Sequence, residues 1–382
     1  MDYPTVGLSE RPYNARLVLT NIAPCVPAPS SSPSPGLCQH CIQKNDRSFV
    51  TPAANTQHST STPETGLHLI AADMQAVDAV IAQRLTTSVP LIGQVAHYII
   101  SAGGKRLRPA MLLLVANALG YQGSQHHAMA AVIEFIHTAT LLHDDVVDES
   151  TMRRSKPTAN YTFGNPASVL VGDFLHSRAF EMMVATRELR VMEVVAAATN
   201  IIAEGEVQQL LNMHDAALDE QGYLHVIRSK TAKLFEASTQ VAAILTQSPP
   251  ALEAAAATYG QALGTAFQII DDVLDYDGAP AEMGKNVGDD LREGKATLPL
   301  IAAMQHGTAG QAAIVRHAIE QGETEQLQAI IQIVRETGAI DLAREAAHRE
   351  AERAIAALAA FPDNPYSQTL RELPAQLLLR RK

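Results

Sequence analysis

The chain has 382 residues, 47% of them hydrophobic and 18% charged, enough for one large or two ordinary domains with a sizeable core. Its 29 Lys and Arg against 40 Asp and Glu leave a formal net charge of −11, which argues against nucleic acid as the main partner; an anionic substrate must then be met by local cations or by metal. No apolar run reaches the roughly 18 residues of a membrane span, and three Cys, all before residue 42, make no disulfide framework and point to a reducing cytoplasm.

Residues 1–64 differ from everything after them. They hold 9 of the 20 prolines and the run Ser30-Ser31-Ser32-Pro33-Ser34-Pro35, and read as a disordered Pro/Ser-rich extension. The extension lacks the n-region and h-region of a secretory signal. Cys38-Gln39-His40-Cys41 is half a zinc site; a structural zinc wants four ligands, and only Cys25 or His58 is at hand.

From 65 to 382 the apolar spacing is helical nearly throughout. Leu69, Met74, Val77 and Val80 begin one face, and Pro90 opens a second helix through Ile100. Pro109 marks the start of a helix over 110–119, which Gly120 ends. A long apolar helix spans 128–148. Further helices are predicted over 166–185, 190–213, 219–246, 251–276, 296–305, 309–320, 324–336, 338–360 and 367–379. No alternating stretch is long enough for a convincing strand. The expected fold is all-α, about a dozen helices.

The chemistry sits at the ends of these helices. Gly103-Gly104-Lys105-Arg106-Leu107-Arg108-Pro109 puts three cations just before a helix N-terminus, a sound place for phosphate, although solvated cations in a capping loop would look alike. His137 shares a helix face with Asp144; a lone His there is more often a core residue. Asp144, Asp145 and Asp148 close the apolar helix at i, i+1 and i+4, so Asp144 and Asp148 lie one turn apart on one face. Alone, such a cluster is as often a solvated helix end. It recurs, however, as Asp271, Asp272 and Asp275 after a second apolar helix. If the two helices pack side by side, six carboxylates face each other and hold several hard divalent cations, as a diphosphate site requires. Arg153 and Arg154 follow the first cluster and either neutralise it or reach two diphosphates. Lys230-Thr231 interrupts an apolar helix, where a Lys is costly without an anion. Gln268 lies three residues before Asp271, and the glycine-punctuated stretch 284–295, with Lys285 and Lys295, reads as a lid.

Together these motifs resemble the trans-isoprenyl diphosphate (polyprenyl) synthases, most closely the long-chain bacterial members that make octaprenyl diphosphate. GGKRLRP, LLHDDVVDES with the following RR, GDFL, KT, FQIIDDVLDY and GKNVGDDLREGKATLPL occur in the family's order over about residues 67–382. The resemblance implies an isoprenoid-synthase-type bundle around a central cavity, working as a homodimer. It implies Mg²⁺, with Mn²⁺ as a substitute, on Asp144, Asp145 and Asp148 and, opposite, Asp271, Asp272 and Asp275. Arg153, Lys230 and Lys285 would contact the allylic diphosphate, for which farnesyl diphosphate is the expected primer. Lys105, Arg108, His137 and Arg154 would hold isopentenyl diphosphate. Phe267, Gln268 and Thr231 would lie near the reacting carbons, and Asp290 and Lys295 would serve the closing loop.

The growing chain is expected to run beside the helix that ends in Asp144. Ala139 and Thr140 are small, where short-chain relatives tend to carry aromatics, so the first turn is open and an octaprenyl product for a quinone side chain is expected. Phe174, Phe180, Met182 and Met183 are candidates for the tunnel floor. A terpene cyclase would not need the basic pocket, and a non-catalytic partner would typically lose an aspartate cluster. A structural cation-binding protein leaves the basic clusters unexplained.

Overall fold

Helical spacing of apolar residues becomes helices wherever a buried face is available. The computed structural model describes residues 66–154, 156–277, 288–322 and 324–380. A 3-10 turn, Gly66–Ile70, leads into α1 (Ala71–Arg84), α2 (Pro90–Ser101), α3 (Leu107–Ala118) and α4 (Gln125–Val147). Next come α5 (Ala159–Phe163), α6 (Asn165–Thr186), α7 (Leu189–Leu211), α8 (Glu220–Ile227), α9 (Lys233–Leu245) and α10 (Pro250–Asp277). The last described part holds α11 (Asp289–Arg292), α12 (Leu298–His306), α13 (Ala309–Gln321), α14 (Leu327–Glu336), α15 (Ala339–Ala357) and α16 (Pro365–Leu378). Extended structure among the described residues is one antiparallel pair, β1 (Met152–Arg153) with β2 (Lys156–Pro157). The fold is all-α, as expected. The extension over 1–64, with Cys38 and Cys41, and Lys285 lie outside the described residues. No helix of the described residues is long and apolar enough to cross a membrane.

Among the helix starts that differ from expectation, two concern the site. Pro109 is the third residue of α3, because Arg106, in the left-handed region at φ 46°, already turns the chain into it. α4 begins at Gln125, three residues before its apolar run, so His126 and His127 are helical.

α3 is the central rod: Met111, Leu112, Leu113, Leu114, Val115 and Ala116 have no exposed surface. Such an all-round apolar helix must be covered on every side. α4 and α9 lie against it, α6 packs on α4, and α10 packs on α9 and α15.

The stretch expected as one helix over 219–246 is α8 and α9 joined by a π-turn, Arg228–Ala232, carrying Lys230 and Thr231. A π-turn inserts an extra residue into the helical ladder and leaves the turn wide. Two glycines let neighbouring helices press on it. A Cβ at Gly205 of α7 would lie 2.8 Å from Ser229 Cβ and 2.9 Å from Lys230 N, and one at Gly264 of α10 2.8 Å from Ala232 Cα. The π-turn is therefore clamped between α7 and α10 almost backbone to backbone.

Candidate active site

α4 and α10 bring their C-terminal turns to one cavity of about 640 Å³. Asp144 and Asp148 from α4, and Asp271, Asp272 and Asp275 from α10, all line it. A helix C-terminus carries partial negative charge, so carboxylates there are unfavourably placed unless cations join them. The sequence expectation that both clusters share a cavity is met for five of the six carboxylates. Asp145 is the exception. It is 1% exposed and does not line the cavity; its Oδ1 accepts from Arg153 Nε at 2.9 Å and lies 2.8 Å from Arg153 Nη2. One residue along α4 from Asp144 means a turn of about 100° away. Asp145 thus turns its Oδ1 to Arg153.

The π-turn supplies the middle of the site. Lys230 Nζ donates to Glu206 of α7 and stands 3.9 Å from Asp144 Oδ2. Thr231 Oγ1 donates to Gln268 Oε1 at 3.0 Å. Gln268 Nε2 donates to Asp272 Oδ1 at 2.8 Å, and the Tyr223 hydroxyl donates to Asp272 Oδ2 at 2.6 Å. This chain of donors ties α8, the π-turn and α10 into one unit. Lys295 Nζ lies 3.6 Å from Asp148 Oδ2 and pairs with Glu293, and the Asp290 N–H reaches Asp275 Oδ2 at 3.4 Å. The residues after the second cluster thereby close back onto both clusters.

Crowding shows in proton affinity. Burial pushes the Asp272 carboxyl well up, helped by Asp290 and Asp271. Burial also raises Asp144, with Asp148 adding to it and Lys230 opposing. Glu206 is pushed up to about 7, by burial first and then by Asp144. Carboxylates that resist ionising together form a donor set that fits hard divalent cations. A pH effect follows. Glu206 holds its proton more tightly folded than unfolded, so without divalent metal it stabilises the fold fully below the unfolded value near 4.5. That contribution is lost as pH rises towards 7. Urea melts of chelator-treated protein should therefore show stability falling between pH 5 and 7, with a shallower fall in Glu206→Gln.

One end of the cavity is cationic. Arg108, whose guanidinium lies 4.3 Å over the Phe235 ring, is pushed down to about 10 by burial and remains charged at neutral pH. It stands 3.3 Å from His137 Nε2. Arginine can only donate, so Nε2 accepts and the His137 proton belongs on Nδ1. Burial first, then Arg108, Arg154 and Arg153, hold this imidazole neutral. Lys105 and Arg154 line the same end. The Arg154 guanidinium occupies the space beside Gly104, 2.7 Å from where a Cβ would be. Arg106 lines this end too, pairing with Asp78 and lying 3.7 Å from Glu134.

A second cavity of about 440 Å³ shares Thr140, Asp144, Asp148 and Glu206 with the first and continues between α4, α6 and α7 past Ile136, His176 and Ile202. Thr140 lines both cavities. Ala139 lines neither: it is 1% exposed, one step round α4 and in the core. The expected floor residues also sit off this wall. Met182 and Met183 are core, Phe174 lies under the Arg178 guanidinium, and Phe180 packs on His176.

Sequence reasoning missed Glu134, Glu206, Tyr223 and Arg380, all in the cavity wall. Arg380 lies 4.5 Å over the Phe267 ring and 2.9 Å from Asp271. A signal existed for Arg380 in the basic C-terminal run, but none for a lone Glu on an amphipathic helix.

Comparison with known proteins gives the family. The family model described as Polyprenyl synthetase matches residues 89–336. The octaprenyl diphosphate synthase of Escherichia coli (strain K12) is 53% identical over 79% of this chain and 94% of the relative. The all-trans-nonaprenyl-diphosphate synthase (geranyl-diphosphate specific) of Rhodobacter capsulatus is 46% identical over 80% and 94%. Among solved structures, a polyprenyl synthase from Caulobacter crescentus CB15, complexed with calcium and isoprenyl diphosphate, superposes with a TM-score of 0.81 at 43% identity, covering 84% of this chain and 98% of that one. The chain belongs to the polyprenyl synthetase family, the prenyltransferases that build long all-trans polyprenyl diphosphates.

Proposed function

We propose that the protein adds isopentenyl diphosphate units to an allylic primer, farnesyl diphosphate, to make octaprenyl diphosphate for quinone side chains. The observation that carries this reading is one cavity with two aspartate clusters, Lys230 between them and a cationic end beyond. The likeness to octaprenyl diphosphate synthases supports the chain length.

Asp144 and Asp148, with Asp271, Asp272 and Asp275, would hold Mg²⁺. Bound there, the ions supply charge stabilisation to a departing diphosphate. Lys230 and Arg153 bind the allylic diphosphate and take up the negative charge that grows as its C–O bond breaks. Lys285 joins them on the family resemblance alone. Lys105, Arg108, Arg154 and neutral His137 anchor isopentenyl diphosphate at the cationic end. Its double bond attacks the allylic cation beside Phe267, Thr231 and Gln268. The proton then lost passes to the departed diphosphate, because Gln268 and Thr231 are not bases and Arg108 already occupies His137 Nε2. Lys295 and Asp290 hold the closing segment against both clusters and keep water from the cation.

Two copies pairing through α6 and α7 would cover the exposed Leu170, Val207, Leu210 and Leu211. The cytoplasm is the compartment this reading takes. The test incubates protein, Mg²⁺, farnesyl diphosphate and labelled isopentenyl diphosphate and sizes the dephosphorylated product. A dominant octaprenol supports the reading, and no incorporation by folded protein sinks it. In the same assay Thr140→Tyr should shorten the product by at least one isoprene unit, since Thr140 lines the passage between the cavities. An unchanged length distribution would remove Thr140 from the tunnel.

A further inference from the structure

At the opposite end of α4 from the aspartates, three side chains converge that the proposed chemistry does not use. Asp73 of α1 and His126 and His127 in the first turn of α4 each bring a ligand atom to within 4.8 Å of the others. His127 Nε2 lies 2.9 Å and His126 Nε2 3.6 Å from the same oxygen, Asp73 Oδ1. The two rings stack with centroids 3.9 Å apart. Ligand atoms on one tetrahedral zinc stand roughly 3.3 Å apart, given metal–ligand bonds of about 2.0–2.2 Å. The two separations from Asp73 Oδ1, 2.9 and 3.6 Å, bracket that spacing, and the third lies within 4.8 Å.

The groups are also held in advance. Asn117 Nδ2 donates to Asp73 Oδ2 at 2.9 Å, which leaves Oδ1 aimed at the imidazoles. His126 is 5% exposed. Its Nδ1 has no hydrogen-bond partner, and its Nε2 pairs loosely with Asp73 Oδ1 at 3.6 Å. A buried imidazole so held is only partly compensated for the water it has given up. Burial keeps His126 below its ordinary value, in the neutral form that ligates metal. Asp73 and His127 are partly exposed, so an ion can enter and a water can complete its shell.

We infer that Asp73, His126 and His127 form a site for one zinc-class divalent ion that ties α1 to α4. Two imidazoles and a carboxylate suit zinc, not the oxygen-seeking magnesium. The site is about 26 Å along α4 from Asp144, so its occupancy is separable from the aspartate clusters.

The test titrates zinc into chelator-stripped full-length protein, in excess Mg²⁺, against a chromophoric chelator, and repeats this with Asp73→Asn and His127→Gln. The expected result is one equivalent in the wild type, bound at least a hundredfold more weakly in each variant, while both keep Mg²⁺-dependent elongation as proof of folding. Zinc should raise the melting temperature of the wild type alone. Cobalt(II) in the wild type should give visible bands of nitrogen and oxygen ligation, which decides the matter even if a variant fails to fold. Wild type that binds no zinc at micromolar concentration overturns the inference. So does equal affinity in folded variants, or a cobalt spectrum of thiolate ligation, which would move the ion to the cysteines before residue 42.

Discussion

Asp144→Ala and Asp271→Ala are each expected to cut elongation turnover by roughly 10²–10³-fold or more, measured at saturating Mg²⁺ with helical content intact. Each removes a carboxylate from one wall of the cavity, where burial and like charge already make the cluster call for cations. Asp144 also faces Lys230, so its loss leaves that ammonium with Glu206 alone. Asp145→Asn provides the contrast. It keeps the shape beside Arg153 and removes only the charge that holds the guanidinium. The expected result is a higher KM for the allylic substrate with a smaller fall in kcat. Near-normal turnover in either alanine variant would remove the two clusters from the chemistry. A loss in Asp145→Asn as deep as in Asp144→Ala would return Asp145 to the metal-binding set.

Gly205→Val should destabilise the protein by about 1–3 kcal/mol and take most of the activity with it. The added Cβ meets Ser229 Cβ at 2.8 Å and the Lys230 backbone nitrogen at 2.9 Å, and a backbone atom cannot swing aside as a side-chain tip can. Relief therefore moves the π-turn, and with it Lys230 and the Thr231–Gln268 hydrogen bond. Gly93 on α2 is the control. A Cβ there meets nothing within 4 Å, so Gly93→Ala should be neutral or stabilise by up to about 1 kcal/mol. Denaturant midpoints and kcat on the same preparations check both. A Gly205→Val enzyme of normal stability and rate would mean that α7 yields easily and the clamp is not needed.

Much of this could be read without coordinates because the chemistry is written locally. Both aspartate clusters, the glycine-led basic loop before α3 and the Lys-Thr pair are each contained within a few residues, and helical periodicity decides which cluster members share a face. The same periodicity, applied strictly, would have turned Asp145 away from Asp144 and Ala139 away from Thr140. Motif membership outweighed geometry for both. The remaining wall residues are made by packing. Glu206 and Tyr223 look like ordinary members of amphipathic helices, and only the clamp on the π-turn brings them to Lys230 and Asp272. The π-turn is silent for a physical reason: α9 is apolar on nearly every side, so a one-residue shift of phase leaves little mark on its pattern. The early start of α4 is hidden because Gln125, His126 and His127 are polar and carry no apolar spacing.

The π-turn also makes chain length a functional quantity within a helix. Deleting Arg228 or Ser229 would let the ladder close as regular α-helix, and everything on one side would rotate by about 100° about the axis relative to the other. Either Tyr223 would swing off Asp272, or Thr231 off Gln268. Here the count of residues is itself part of the site, and a sequence changed by one codon in this segment, with every side chain otherwise kept, would lose the phase that joins the two halves of the cavity.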